Sequence, residues 1–323
     1  MYNGTPTAAQ GGERRPSVAL IGAGTMGSAI ARRLLSAGTP VHVWNRSPKA
    51  ALALIDIGAT AFADPGDAVA TANVVLTLLP TADILRNVMI GQGVVAAMAP
   101  EAVWAQMGTI GVEATEHLDT EVRTLRPDVH FVDAPVSGSR HPAESGQLLV
   151  LASGPESAAD TVGPVFDVIG RRTLWLGPAG MGSRMKLVLN TWLAFEVEAA
   201  AEADALAGRF GITAHSLADA LGGNPAASQL ATAKLAKIQS GDHGADFALE
   251  WELKDLDLMR ASAGSSAAPI AVAIAERWRT LVDQGFGSLD VSAARLGLDD
   301  EPLRHLGEAQ SAADPATDGA VAA

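Results

Sequence analysis

The sequence predicts an α/β fold in which a doubly wound parallel-sheet domain is followed by an all-α C-terminal domain, the two joined by a long interdomain helix. Three observations lead there. Short apolar runs bounded by turn residues recur through the first half, helical patterns lie between the early ones, and after Gly182 strand signals give way to long Ala- and Leu-rich stretches with helical spacing. Strands that alternate with crossover helices make a parallel sheet, because a parallel pair needs a connection long enough to return to the same edge.

The runs over residues 18–21, 41–44, 74–79, 102–107, 130–133, 148–152 and 173–176 read as buried strands, and the stretches 27–37 and 82–88 as helices between the early ones. Helices are expected over 183–208, 213–221, 226–239, 248–261 and 269–284, with Pro269 suited to a first helical position. Arg32 and Arg33 are expected on the wet face of the first helix.

The 323 residues, 48% hydrophobic and 18% charged, suit about two ordinary globular domains. A formal net charge of −13 argues against a nucleic-acid footprint, which needs clustered Lys and Arg. Cysteine is absent, which excludes disulfides, thiolate zinc sites and cysteine nucleophiles and points to a reducing cytoplasm. No uncharged apolar run reaches the roughly 18 residues of a membrane span, since the apolar stretch after Lys186 carries Glu196, Glu198, Glu202 and Asp204. No signal-peptide pattern opens the chain, so a soluble protein is expected. The seven histidines are scattered, without an H-E-x-x-H pair, and no metal is expected. The one tyrosine, Tyr2, lies in the polar leader, which leaves no Tyr-Lys mechanism. His141 and His243 lie near candidate site segments, but loop histidines are more often solvated.

The run Val18-Ala-Leu-Ile21 leads directly into Gly22-Ala-Gly24-Thr25-Met26-Gly27 and a helix. G-x-G-x-x-G between a strand and a helix is the dinucleotide fingerprint of a Rossmann domain. The first two glycines allow the tight turn and close pyrophosphate approach, the third allows close helix packing, and free N–H groups at the helix start bind phosphate. The second strand ends in Asn45-Arg46-Ser47, where a cofactor with a free ribose 2′-hydroxyl usually meets an Asp or Glu. Arg46 offers a cationic fork for a 2′-phosphate, with Asn45 and Ser47 as hydrogen-bond partners, so NADP(H) is expected over NAD(H). The expected division is a disordered leader over 1–16, an NADP-binding domain over 17–182, an all-helical substrate and oligomerisation domain over 183–305, and a disordered tail over 306–323.

After a glycine-rich approach, Lys186 and Asn190 stand at i, i+4, so an ammonium donor and a carboxamide share one helical face and can converge on one small polar group such as a carbonyl oxygen. They are the candidate catalytic pair. A single Lys among Met185, Leu187, Val188 and Leu189 is unlike a solvated surface lysine.

Four segments resemble, in order, the β-hydroxyacid dehydrogenase family, which includes hydroxyisobutyrate dehydrogenases and glyoxylate/succinic semialdehyde reductases. They are Gly22 to Gly27 with Trp44-Asn45-Arg46; Asp133-Ala-Pro-Val-Ser137-Gly138-Ser139 with Pro142 to Leu148; Gly180-Met-Gly182 with Lys186 and Asn190; and Phe247 with Lys254-Asp255-Leu256. The resemblance runs over roughly residues 18–296. It implies that Ser137 and Gly138, with Ser139 beside them, hold the substrate carboxylate. It makes Lys186 the proton donor to the carbonyl oxygen and, in the oxidative direction, the base. Enclosure between domains would bring the lysine's pKa toward the working range. Asn190 would hold substrate beside it, Asp255 would orient substrate or Lys254, and Phe247 would pack near the nicotinamide. Leu79 and Pro80 resemble the family's turn beside the cofactor ribose, and Thr109 its Thr near the nicotinamide. Many relatives read Asp-x-Ser-Thr there, but this chain has Gln106-Met107-Gly108-Thr109, so only Thr109 is carried over.

Ser139 and the following Pro142-Ala-Glu-Ser-Gly look more like the glyoxylate/succinic semialdehyde reductase branch, and Arg46 points the same way. The expected activity is NADPH-dependent interconversion of a small aldehyde or keto acid and its hydroxy acid. Alternatives are an imine reductase or reductive aminase, whose proton-donor position usually lacks Lys, and a catalytically silent NADP-binding protein. Relatives associate through the helical domain, which implies a homodimer or homotetramer; no nucleic acid or membrane partner is expected.

Overall fold

A computed structural model describes residues 16–298, and the chain divides into two compact units between Ser183 and Arg184. The expected leader, apart from Pro16, the end of the expected helical domain from residue 299, and the expected tail lie outside the described residues.

The first unit is built on six parallel strands, β1 (Val18–Ile21), β2 (Val41–Trp44), β3 (Thr60–Ala61), β4 (Val74–Thr77), β5 (Val103–Gln106) and β6 (His130–Asp133), in the order β3-β2-β1-β4-β5-β6. That is the doubly wound order, with its switch point between β1 and β4. Alternate side chains enter two separate cores: Val18 and Leu20 on one face, Ala19 and Ile21 on the other; Val74 and Leu76 against Val75; Val103 and Ala105 against Trp104. All of these are fully buried. Strands covered on both faces become continuous apolar runs, which is why these are legible in sequence. Ile21 pairs with Trp44 and Thr77, Thr77 with Gln106, and Gln106 with Asp133, so the loops leaving the carboxyl edge start level.

The expected strands at 148–152 and 173–176 do not continue this sheet. Here β8 (Leu148–Ala152) and β9 (Gly170–Trp175) join β7 (Val136–Ser137) in a second sheet, β7-β8-β9, antiparallel then parallel. Between β7 and β8 there is only the short helix Arg140–Glu144, too little for a crossover, so the chain turns straight back. Helix Ala159–Ile169 spans β8 to β9, and those strands run parallel. Nor is β9 buried, because Arg171, Arg172 and Trp175 face outward. The apolar pattern also gives no sign of helix Val112–Leu125, whose buried side is only Val112, Thr115, Leu118 and Val122.

In the first helix, Thr25–Ser36, Arg32 is exposed as expected. Arg33 is not on the wet face: it is half-buried and its Nε donates to the Val168 carbonyl at 2.8 Å.

The second unit is helical: the long helix Met181–Arg209, which begins in the first unit, is followed by Ala214–Leu221, Gln229–Ser240, Leu249–Ala263 and Pro269–Leu281. Caps fix the starts, since Thr213 Oγ1 accepts from the Ser216 N–H at 3.1 Å and Ser228 Oγ from the Ala231 N–H at 2.9 Å. The second cap explains why that helix begins at Gln229 rather than at 226. After Leu281 the helix widens into a turn that ends at Phe286, because Gly285 takes φ +92°. Leu235, Leu253, Leu256, Ile274 and Trp278 are buried in this unit. Glu198 lies among them as a buried acid, accepting from Trp278 Nε1 at 2.8 Å and paired with Arg277. Among the described residues no helix is long and apolar enough to cross a membrane.

Candidate active site

The loop after β1 shows what each glycine is for. Gly22 has φ +107°, and a Cβ there would lie 2.5 Å from the Leu78 carbonyl oxygen. At Gly27 a Cβ would lie 1.9 Å from the Gly22 carbonyl oxygen, so the first helical turn seats against the loop only without a side chain. Gly24 is different: it is exposed, and nothing lies within 4 Å of the position its Cβ would take. One open glycine between two packed ones leaves room for a close ligand. The helix that begins at Thr25 has no side-chain cap and no acid in its first turn, so the N–H groups of Thr25 and Met26 are left to an anion at the positive end of the helix dipole. A pyrophosphate fits these donors.

Asn45 braces this loop. Its Oδ1 accepts the Ala23 N–H at 3.0 Å and its Nδ2 donates to the Ser47 carbonyl at 2.9 Å, so the carboxamide is engaged within the protein. Arg46 and Ser47 are exposed directly after β2. From β4, Leu79 is buried and Pro80 exposed, and a Cβ on Gly108 would lie 2.5 Å from the Leu79 carbonyl oxygen, so the turns after β4 and β5 touch through that glycine. Gln106 closes the β5 turn on itself: its Oε1 accepts the Gly108 N–H at 2.8 Å and its Nε2 donates to the Gly108 carbonyl at 2.6 Å. Thr77 Oγ1 donates to the same Oε1 at 3.3 Å and accepts from Trp104 Nε1 at 3.0 Å. The departure from Asp-x-Ser-Thr is thus internally satisfied, and Thr109 is half-buried beside it.

Ser137 ends β7, half-buried, and Gly138 comes next at φ +129° with its missing Cβ 2.8 Å from the Leu148 side chain. Ser139 precedes helix Arg140–Glu144 without spending its hydroxyl as a cap. His141 is exposed, and His243 gives its Nδ1 to a 2.9 Å contact with Ser292 Oγ.

In the helical unit, Lys186, Asn190, Lys254 and Asp255 come together. Asn190 is 3% exposed, and its Nδ2 donates to Asp255 Oδ2 at 2.6 Å. Lys254 Nζ lies 2.7 Å from Asp255 Oδ1, an ion pair by distance whose angles are not those of a hydrogen bond. Asp255 is 4% exposed, so the pair is not a solvated one. Lys186 is half-buried; desolvation lowers its pKa, the charge of Asp255 and that of Glu252 when ionised oppose that, and Lys254 adds to it. Phe247 precedes the Leu249–Ala263 helix, half-buried, its N–H donated to Asp290 Oδ2 at 3.2 Å.

Comparison with known proteins agrees with this division. Residues 17–177 match the model of the NAD-binding domain of 6-phosphogluconate dehydrogenase, and residues 180–296 that of the NAD-binding region of NADP-dependent 3-hydroxyisobutyrate dehydrogenase. The chain belongs to the 3-hydroxyisobutyrate dehydrogenase family. It is 30% identical over 288 residues to 2-(hydroxymethyl)glutarate dehydrogenase of Eubacterium barkeri, covering 87% of this chain and 94% of that one. With glyoxylate/succinic semialdehyde reductase 1 of Arabidopsis thaliana it shares 29% identity over 279 residues, 85% and 96% of the two chains. The crystal structure of 3-hydroxyisobutyrate dehydrogenase from Salmonella typhimurium superposes with a TM-score of 0.79 at 27% identity, covering 87% of this chain and 99% of that one. As a family member the protein is an NAD(P)-binding oxidoreductase acting on CH–OH groups.

Three residues of this 3-hydroxyisobutyrate dehydrogenase relative escape a reading of the site from sequence. Asp133, fully buried, clamps the start of the long helix: its Oδ2 accepts the N–H of Ser183 at 2.8 Å and of Gly180 at 3.2 Å, and its Oδ1 accepts Ser183 Oγ–H at 2.8 Å. Burial pushes its pKa up against these bonds. Asp290, also fully buried, binds Lys234 Nζ at 2.8 Å and the N–H groups of Asp246 and Phe247, fixing the loop that presents Phe247. Glu252 is fully buried beside Asp255. A signal existed for it, because it stands three after Leu249 and four before Leu256, on the apolar face.

Proposed function

We propose that the protein reduces a small carboxylate-bearing aldehyde, of the glyoxylate or succinic semialdehyde kind, to its hydroxy acid with NADPH. Lys186 carries this reading: a half-buried ammonium, desolvated and faced by Asp255, in a cluster of charged groups beside the long helix. A nicotinamide, when bound, would supply the hydride for the carbonyl carbon. Lys186 Nζ gives its proton to the carbonyl oxygen as that oxygen gains charge, and takes it back in the oxidative direction. Desolvation brings a lysine nearer the working pH, so it can serve both ways. Asp255 holds Asn190 and Lys254 in place, and its charge keeps Lys186 from losing its proton too early.

The Ser137 hydroxyl and the backbone around Gly138 suit a carboxylate. The open face at Gly24 and the free N–H groups of Thr25 and Met26 fit the pyrophosphate, and the exposed Arg46, with Ser47, fits a 2′-phosphate. Met26, Gly27, Leu79, Pro80, Thr109, Phe247 and Lys254 complete the proposed cofactor contacts. The Arabidopsis relative is named for glyoxylate and succinic semialdehyde, which share a carbonyl and a carboxylate.

The test is NADPH and NADH oxidation with glyoxylate, succinic semialdehyde, other aldehyde acids and cyclic imines. Turnover of the aldehyde acids, faster with NADPH, is expected. Turnover of imines alone would make the protein an imine reductase, and NADPH binding without any turnover a silent nucleotide-binding module.

We infer also a homodimer or homotetramer. The long helix exposes Val188 (62%), Trp192 (63%) and Leu206 (51%), with Phe210 (71%) just beyond its end. Their spacing keeps them on one helical face. Exposed large apolar groups so aligned favour association.

A further inference from the structure

Among the described residues three buried side-chain polar atoms have no hydrogen-bond partner: both carboxyl oxygens of Glu252 and Oδ1 of Asp255. All three belong to carboxyls one helical turn apart. An ionised carboxylate only accepts; Asp255 Oδ1 at least has the Lys254 ammonium at 2.7 Å, whereas an ionised Glu252 would set two acceptors in a fully buried position with neither a hydrogen bond nor an ion pair. One proton changes that. A protonated Glu252 carries no charge to leave unpaired and becomes a donor, with the Asp255 carboxylate at i, i+3 on the neighbouring turn.

We infer that Glu252 holds a proton in the resting enzyme and acts as a positioning residue that sets the pH range over which Lys186 is an acid. The inference rests on the proposed role of Lys186. While Glu252 is neutral, Lys186 is faced by the single negative charge of Asp255 and by the positive charge of Lys254. When Glu252 ionises, a second negative charge raises the affinity of Lys186 for its proton and extends its acid form to higher pH. The groups acting on Glu252 are Lys186 from the long helix and Lys254 and Asp255 from its own helix. On the neighbouring elements, Arg279 of helix Pro269–Leu281 is taken by Asp257 at 2.7 Å, and Asp283 is exposed. Burial first, then the Asp255 charge, push the Glu252 carboxyl well above its ordinary range, against the pull of Lys186 and Lys254.

Isotope-edited infrared spectroscopy of the cofactor-free protein, labelled at glutamate carboxyl carbon, tests the proton directly. A protonated-carboxyl band at neutral pH is expected, absent from Glu252→Gln; glutamate that is entirely ionised at neutral pH overturns the inference. If Glu252→Gln does not fold, a pH titration of the parent band decides alone, since the band must persist through neutrality and vanish on the alkaline side. In turnover, Glu252→Gln is expected to keep its neutral-pH rate, while the alkaline limb of the reduction profile moves to lower pH by about one unit. A limb that stays in place overturns the link to Lys186. The infrared reading needs no substrate, so a protein with the band but no aldehyde-acid turnover would sink the proposed function and leave the proton on Glu252 intact.

Discussion

Asn190 donates a 2.6 Å hydrogen bond to Asp255 across 65 residues of sequence, tying the long helix to the Leu249–Ala263 helix. The carboxylate that makes this bond is also the strongest charge keeping Lys186 protonated. Asp255→Asn preserves an acceptor for Asn190 but removes that charge. The pKa of Lys186 then falls further, and because reduction uses the ammonium, the alkaline limb of kcat/KM is expected to move down by about one to three pH units. An unmoved limb would separate Asp255 from the proton donor.

Lys186→Ala removes the proposed donor but no group of the glycine loop. We expect kcat to fall by roughly a hundred- to ten-thousandfold, with NADPH affinity, measured by fluorescence titration, nearly unchanged. Retained turnover would exclude Lys186 as the donor.

Gly24, just before the first helix, and Gly27, in its first turn, should respond oppositely to alanine. At Gly27 the new methyl meets the Gly22 carbonyl oxygen, and the loop or helix must shift, at a cost of about 1–3 kcal/mol that lowers Tm without any cofactor. Gly24 has φ −67° and open space, so alanine there is tolerated by the fold. Its methyl instead occupies the approach to the pyrophosphate, and NADPH binding should weaken by about tenfold or more, roughly 1.4 kcal/mol. Equal Tm losses for the two variants would refute the assignment.

Legibility in the sequence depends on how each element is buried. Strands such as Val18–Ile21 and Val74–Thr77 are covered on both faces and appear as plain apolar runs. Helix Val112–Leu125 buries one narrow side and is otherwise polar, so its period is faint. The turn to a second sheet at Val136–Ser137 is set by the shortness of the Arg140–Glu144 helix and not by the strand itself. In the helical unit Lys186 and Asn190 are visible through their spacing. Glu252, whose carboxyl feels the charge of Lys186, is not, because one acid among several in a helix resembles a solvated one until the apolar residues three before and four after it show which face it occupies.

Arg46 sits exposed where a carboxylate would otherwise read a ribose hydroxyl. A planar guanidinium can make two charge-assisted hydrogen bonds to a 2′-phosphate, each worth about 1.5–3 kcal/mol. Arg46→Asp should therefore reduce kcat/KM for NADPH by at least about tenfold and raise the NADH preference correspondingly. Asn45 braces Ala23 independently of the phosphate, so Asn45→Ala is expected to weaken both cofactors alike. An unchanged preference in Arg46→Asp removes the NADP assignment.

Trp192 contributes little to the fold of the single chain, being 63% exposed on the long helix, yet lies on the same face as Val188 and Leu206. Aromatic anchors dominate interfaces, often by about 2 kcal/mol or more, whereas an exposed charge costs an isolated helix almost nothing. Trp192→Glu should accordingly leave helical circular dichroism intact while lowering the mass seen by light scattering at micromolar concentration. A parent protein that is already monomeric there would show that this stripe does not bind a second copy, and a Trp192→Glu variant that keeps the parent mass would place the subunit interface on another face.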